Sequence, residues 1–200
     1  ARWFEALVPI FWLYDRTQEQ WLIELAEKLQ VQGMDYRKLF EHFRLDQPQE
    51  KGRWNFMTHV VNHAMALKAI PLADRMEEGN TDANVFAKRQ LWLLQHFHGM
   101  PTGHFTGDEC LSGNSAIQGS ELCSVVEAMF SYEQLLSLTG DAFWGDILES
   151  VAFNAFPAAL SADMWTHQYD QQTNQVQCSI LPQEHIIFRT NGADANLFGL

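Results

Sequence analysis

The stretch CSVVEAMFSYEQLLSLTGDAFWGDILESVAFNAF, residues 123–156, decides the fold. The spacing predicts a helix from Cys123 to Leu138 and a turn at Thr139-Gly140-Asp141. A second helix follows, from Phe143 to about Phe156. The same unit recurs in weaker form. Leu13-Tyr14-Asp15-Arg16-Thr17 precedes a Trp-bearing amphipathic helix, as Leu136-Ser137-Leu138-Thr139-Gly140-Asp141 precedes the helix with Trp144. Ala64 to Leu94 reads as a third pair with a longer turn. Repeated helical hairpins of this kind stack into a bundle, a solenoid or a closed double-layered ring, and spacing alone does not choose among them.

Outward from these hairpins, helical spacing also marks Trp3 to Tyr14, with Pro9 starting or kinking a turn, and Trp21 to Leu29, ending near Gly33. Residues 47–53, with Pro48 and Gly52, read as a loop. Met57 to about Leu67 is a further helix, with Pro71 near its end. Another runs from Asn84 to Phe97, after the turn-rich Glu78-Gly79-Asn80-Thr81-Asp82. The tail from His167 to Phe188 alternates apolar and polar residues, with turns at Thr173-Asn174 and Pro182, so extended structure is expected only after about Met164. The reading is an all-α chain with extended segments at its C-terminal end.

Composition narrows the function classes. Hydrophobic residues make up 46% and charged residues 19% of the 200, which describes a globular chain. No apolar run is long enough to span a bilayer. The formal net charge of −12, from 13 Lys+Arg against 25 Asp+Glu, repels polyanions, so nucleic acid is not an expected partner. Three cysteines, Cys110, Cys123 and Cys178, are an odd number and argue against a simple disulfide framework. One bridge with a free thiol, buried thiols and metal-bound thiolates all stay open. Ala1 and Leu200 both read as cut ends, and the lack of a visible leader inclines the expected location toward the cytoplasm.

The glycine-rich stretch 99–119 is a candidate to carry chemistry. It carries Gly107-Asp108-Glu109 after His98-Gly99-Met100-Pro101-Thr102-Gly103, and reads as one long loop. The plain reading, favoured when the stretch is taken alone, is a turn with solvated acids; the sharper one is a carboxylate placed where a substrate can reach it. Next comes Gly119-Ser120-Glu121-Leu122-Cys123. Residues i and i+2 do not share a face of a regular helix, so Glu121 and Cys123 can hold one metal only where the helix has not yet begun. Ser120 is a plausible N-cap, and a helix N-terminus favours thiolate. Taken alone, a core cysteine beside a capping-region glutamate remains the simpler reading. His59 and His63, four apart, share a helix face; one facing a site and one in the core is the reading favoured here. His96 and His98 end a helix, where cationic side chains suit the dipole. Gly192-Ala193-Asp194-Ala195-Asn196 lacks the spacing of a dinucleotide loop.

These stretches resemble a known family. His98 to Gly103, Gly107-Asp108-Glu109, and Gly119-Ser120-Glu121-Leu122-Cys123-Ser124-Val125-Val126-Glu127 are similar to the beta-L-arabinofuranosidase family, glycoside hydrolase family 127 and relatives. So are Thr58-His59-Val60-Val61-Asn62, Phe153 to Ala158, His167-Gln168-Tyr169 and Asn174-Gln175-Val176. The resemblance implies part of an (α/α)6 barrel over residues 1–200, an extended segment from about 165, and β-rich modules downstream of this chain. It implies a retaining glycosidase acting on an arabinofuranoside-like sugar, with carbohydrate as the partner. Glu109 matches the acid/base, Glu121 and Cys123 match two zinc ligands, and His59, Tyr169 and His98 match sugar-contacting positions, the first two less securely than the ligands. The family's adjacent cysteine pair, one member of which is the nucleophile, is absent here and is expected beyond Leu200. Cys110 and Cys178 are not adjacent and do not replace it. The Zn2+ site is then incomplete in these 200 residues, which are expected to be inactive alone. The Gly107-Asp108-Glu109 loop is shorter than in the characterised arabinofuranosidases, which leaves the sugar open. The alternative is a non-catalytic carbohydrate-binding or scaffold protein on the same helical ring.

Overall fold

The computed structural model describes residues 1–42, 57–76, 82–116, 118–175 and 197–199. The expected loop at 47–53, the turn at 78–81, Pro182, Cys178 and the 192–196 stretch lie outside the described residues. The rest is mainly helical. A 3-10 turn, Trp3–Ala6, leads into α1, Leu7–Thr17, then α2, Gln20–Gln32, and α3, Tyr36–His42. After α4, Val60–Ala66, and α5, Ala69–Ala73, comes α6, Asp82–His98. No helix among the described residues is long and apolar enough to cross a membrane.

The hairpin that decides the fold forms as its spacing predicts. α7, Leu122–Thr139, packs against α8, Ala142–Phe153, across a two-residue link. Gly140 makes that turn possible: it sits at φ 64°, and its N–H caps Leu136 O at 2.9 Å. An L side chain there would be in the left-handed region that glycine adopts without penalty. Asp141 then caps α8, accepting from Phe143 N at 3.1 Å. The buried face of α7 is Ser124, Val125, Ala128, Ser131, Tyr132 and Leu135, a helical stripe. Small residues on it let α4 come close, and Ser131 Oγ donates to Ala64 O at 2.8 Å. α1 and α2 form a second hairpin through Gln18-Glu19.

Three boundaries differ from the sequence reading. The helix expected from Met57 begins at Val60, because His59 is its N-cap and accepts from Asn62 N. Pro71 lies in the first turn of the separate helix α5, where a missing N–H costs nothing. The helix expected to reach Phe156 breaks at Asn154, and α9, Ala155–Ala158, follows.

Extended structure is not confined to the region after Met164. The stretch expected to be one long loop holds β1, Gly107–Asp108, β2, Cys110–Leu111, and β3, Gly119–Glu121. Further on are β4, Thr166–Gln168, and β5, Asp170–Gln172; β6, Leu197–Gly199, pairs with β4. The first sheet has the order β2-β1-β3-β5. Strands of two or three residues leave no period-two signal, and only their pairing with other segments makes them strands. Glu121, for instance, is opposite Asp170. Gly107 is needed here because a Cβ would run into the Val60 side chain.

The N-terminal turn is tied to the interior by an ion pair. Lys68 is fully buried, with Nζ 2.6 Å from Glu5 Oε1, 3.3 Å from Ser131 Oγ, and 4.8 Å from the Phe130 ring centroid. Burial pushes the Lys68 ammonium down and the Glu5 carboxyl up, each opposed by the other's charge. The pair is unequal, since a quarter of the Glu5 side chain is exposed. Glu5→Gln strands a buried cation and should cost about 3 kcal/mol. Lys68→Met should cost less, because Glu5 can hydrate, and the double variant should recover most of the first loss. Urea denaturation of the three variants checks this; equal and additive losses would contradict it.

Candidate active site

Two carboxylates, a thiol, a phenol and an imidazole meet where the short sheet abuts the start of α7. Glu121 is the last residue of β3 and the N-cap of α7, with extended backbone at φ −74° and ψ 143°. The cap is therefore Glu121, not Ser120, whose Oγ instead donates to Phe105 O at 2.5 Å. Because Glu121 is not yet helical, its side chain and that of Cys123 share one side, with Sγ 3.0 Å from Oε1. Its other oxygen accepts from Glu109 N at 2.9 Å and from Tyr169 O–H at 3.1 Å.

Glu109 sits in the tight connection between β1 and β2 with φ 62°, left-handed for a non-glycine residue. Such a conformation costs roughly 1–3 kcal/mol and is held only where neighbours over-determine it. Here Glu109 O accepts from Val60 N at 2.9 Å, its N–H is fixed by Glu121, and His59 bridges to Cys110 beside it. The Glu109 carboxylate spans two partners. Oε1 lies 2.6 Å from the Tyr169 hydroxyl and Oε2 lies 3.2 Å from His59 Nε2. His59 Nδ1 accepts from Asn62 N at 3.3 Å, so the ring's proton is on Nε2 and points at Glu109. Tyr169 is placed by its own backbone, whose carbonyl accepts from Leu122 N.

The environment is rich in protons. Burial, with Glu109 beside it, pushes the Glu121 carboxyl up to about 6. Burial and then the Glu121 charge push the Cys123 thiol up, so the helix start does not by itself make it a thiolate as expected. Burial and the same carboxylates push the Tyr169 hydroxyl up. Burial pushes the His59 imidazole down, against the pull of Glu109, which keeps the ring neutral. The cluster remains reachable: Glu109 keeps a fifth of its side chain exposed and Cys123 lies at the surface.

Of the six residues named from sequence, the structure brings together Glu109, Glu121, Cys123, His59 and Tyr169. His98 stands apart. It is fully buried, and its Nδ1 accepts from Gly113 N at 2.9 Å, pinning the glycine-rich stretch from inside. His63 is a core residue, edge-on to Phe40 and bonded to Met57 O, while His59 meets Glu109. Cys110 is buried against Thr58 Oγ1. Asn62, which fixes the His59 tautomer, has no sequence signal of that task, because a helix-capping pattern does not mark it.

The donor set fits zinc as far as it goes. A carboxylate and a sulfur 3.0 Å apart, both with raised proton affinity and one proton between them, are what a cation would replace. Among the described residues no group of three or more His, Cys, Asp or Glu side chains forms a metal cage.

Residues 5–175 match the family model described as beta-L-arabinofuranosidase, GH127 catalytic domain. No curated protein matches the chain.

A pH effect follows from Glu121. Its folded value of about 6 lies above the ordinary 4.5, so the folded state binds the proton more tightly. Stability should fall as pH rises from about 4.5 through about 6 and then level off, by roughly 2 kcal/mol from this group. Urea midpoints of chelator-treated protein should lose most of that slope in Glu121→Gln, with a residue from Glu5. An unchanged slope would contradict the burial of this carboxyl.

Proposed function

This chain belongs to the beta-L-arabinofuranosidase GH127 catalytic-domain family of glycoside hydrolases, and from that premise we propose that the Glu109–Tyr169–Glu121–Cys123 cluster is the hydrolytic centre of a retaining glycosidase. Carbohydrate is the substrate class of such a family; the finer reading is an arabinofuranoside-like sugar, bound on a helical ring of which this chain is part. The observation that carries it is one phenol bridging two carboxylates, with one carboxylate partly exposed and the other paired to a thiol.

In this reading Glu109 is the acid/base. Protonated, it gives its proton to the leaving oxygen; as carboxylate, it then takes a proton from the water that completes hydrolysis. Tyr169 and His59 hold its two oxygens from opposite sides, so the carboxyl cannot rotate away from the bond it serves. A neutral His59 donates to the carboxylate without neutralising it. Glu121 and Cys123 would hold the zinc ion, which when bound keeps thiols ionised near neutral pH and so makes a cysteine nucleophile available. The nucleophile itself is the family's adjacent-cysteine position, which we place after Leu200, together with the remaining ligands.

The test uses the native full-length protein and an aryl pentofuranoside. Glu109→Gln should lower kcat by about 10²–10⁴-fold while zinc content is kept. Cys123→Ser should lose zinc and activity together. Residues 1–200 alone should hold zinc weakly and turn over no aryl glycoside. Full activity in Glu109→Gln would remove Glu109 from the role. A metal-replete full-length protein that binds sugars but cleaves none would favour a binding or scaffold protein.

A further inference from the structure

The hydrogen-bonded line through the site does not stop at His59. Asn62, whose N–H is fixed on His59 Nδ1, is buried and accepts on Oδ1 from Arg2 Nε at 2.7 Å. Arg2, Asn62, His59 and Glu109 thus form one series. Arg2 caps the N-terminal 3-10 turn, and the backbone around it is pinned: Tyr36 O–H donates to Ala1 O at 2.9 Å, Trp3 Nε1 donates to Met34 O at 3.0 Å, and Phe4 is buried. The Arg2 side chain itself is exposed. Among the described residues its Nη groups make no hydrogen bond and no acid lies in ion-pair contact with it. The acid nearest in sequence, Glu5, is held by Lys68.

Glu109 divides the site into two flanks. Its Oε1 faces Tyr169, Glu121 and Cys123; its Oε2 faces His59, with Asn62 and Arg2 beyond. On the proposed mechanism, attack starts from the Cys123 flank, so the opposite flank receives the leaving group. A guanidinium on a pinned backbone, tied by Nε and offering both Nη groups, matches a carboxylate in geometry as well as charge. The chain carries a net charge of −12, so an acidic ligand is otherwise repelled and such a contact has to be local.

We propose that Arg2 is a specificity-determining residue that binds a carboxylate on the leaving-group side, so that the substrate is a glycoside of an acidic aglycone, such as a uronic acid residue. This rests on the glycosidase reading above. The probes are aryl arabinofuranosides carrying an ortho, meta or para carboxylate on the ring, each beside its uncharged carboxamide. The native full-length protein, Arg2→Gln and Arg2→Lys are compared by kcat/KM. Electronic differences between the two aryl groups cancel in the ratio between proteins. For at least one carboxylate position, Arg2→Gln should reduce the carboxylate-to-carboxamide ratio by about tenfold. Its carboxamide rate should fall by less than its carboxylate rate, and a native-like urea midpoint shows that it folds. Arg2→Lys should keep part of the preference, and raised salt should weaken it in the native protein. Ratios that do not change in Arg2→Gln, or rates on both probes that fall together, overturn the assignment while leaving the glycosidase reading intact. Failure of the native protein to cleave any probe overturns both.

Discussion

The carboxylate of Glu121 is the point on which the site depends. It accepts from the Glu109 N–H, the Tyr169 hydroxyl and the Cys123 thiol, and so ties the start of α7 to Glu109, twelve residues earlier, and to Tyr169, forty-eight residues later. Each bond does something different. The first holds Glu109 in a left-handed backbone it would otherwise leave. The second sets the phenol between two carboxylates. The third brings a thiol onto a carboxylate at a helix start. Glu121 can make all three only because it ends a strand and caps a helix at once, which leaves its side chain outside the helical rotation.

The same packing sets the charges. Desolvation raises proton affinity at Glu121, Cys123 and Tyr169 and lowers it at His59, so the interior of the cluster favours neutral groups. Its one outward carboxylate is Glu109, with a fifth of its side chain in solvent. A buried acid and the thiol beside it, sharing a proton, are poorly suited to each other's ionised forms, and a divalent cation would relieve both. That is the physical reason to prefer a metal-ligand role for the inner pair over a role as a second acid.

Helices were legible where an apolar stripe and a glycine turn coincide. α7, the Gly140 turn and α8 follow directly from residues 123–153, as does the α1–α2 hairpin. The two- and three-residue strands were not legible, because their partners lie up to about fifty residues away and the strands are too short for any period. Tyr36–His42 was missed for a related reason: a seven-residue helix shows less than two turns of pattern. At the site, Glu109, Glu121 and Cys123 came from residue clusters that resemble a family, and their convergence came from folding. His98 shows the limit of that route. A histidine in a matching stretch reads as a ligand contact, but burial and the Gly113 N–H turn it inward. Arg2 had no sequence signal, since its place beside the site depends on Asn62 being sixty residues on.

X-ray absorption at the zinc edge, on the full-length protein loaded with one equivalent of zinc, tests the account most directly. The predicted shell contains sulfur at about 2.3 Å and one oxygen donor at about 2.0–2.2 Å, the distances of thiolate and carboxylate ligands. In Cys123→Ser the residual bound zinc should show one sulfur fewer. A shell of nitrogen and oxygen donors only, or a sulfur count that Cys123→Ser leaves unchanged, would contradict the central claim that Glu121 and Cys123 are the metal-holding side of this site.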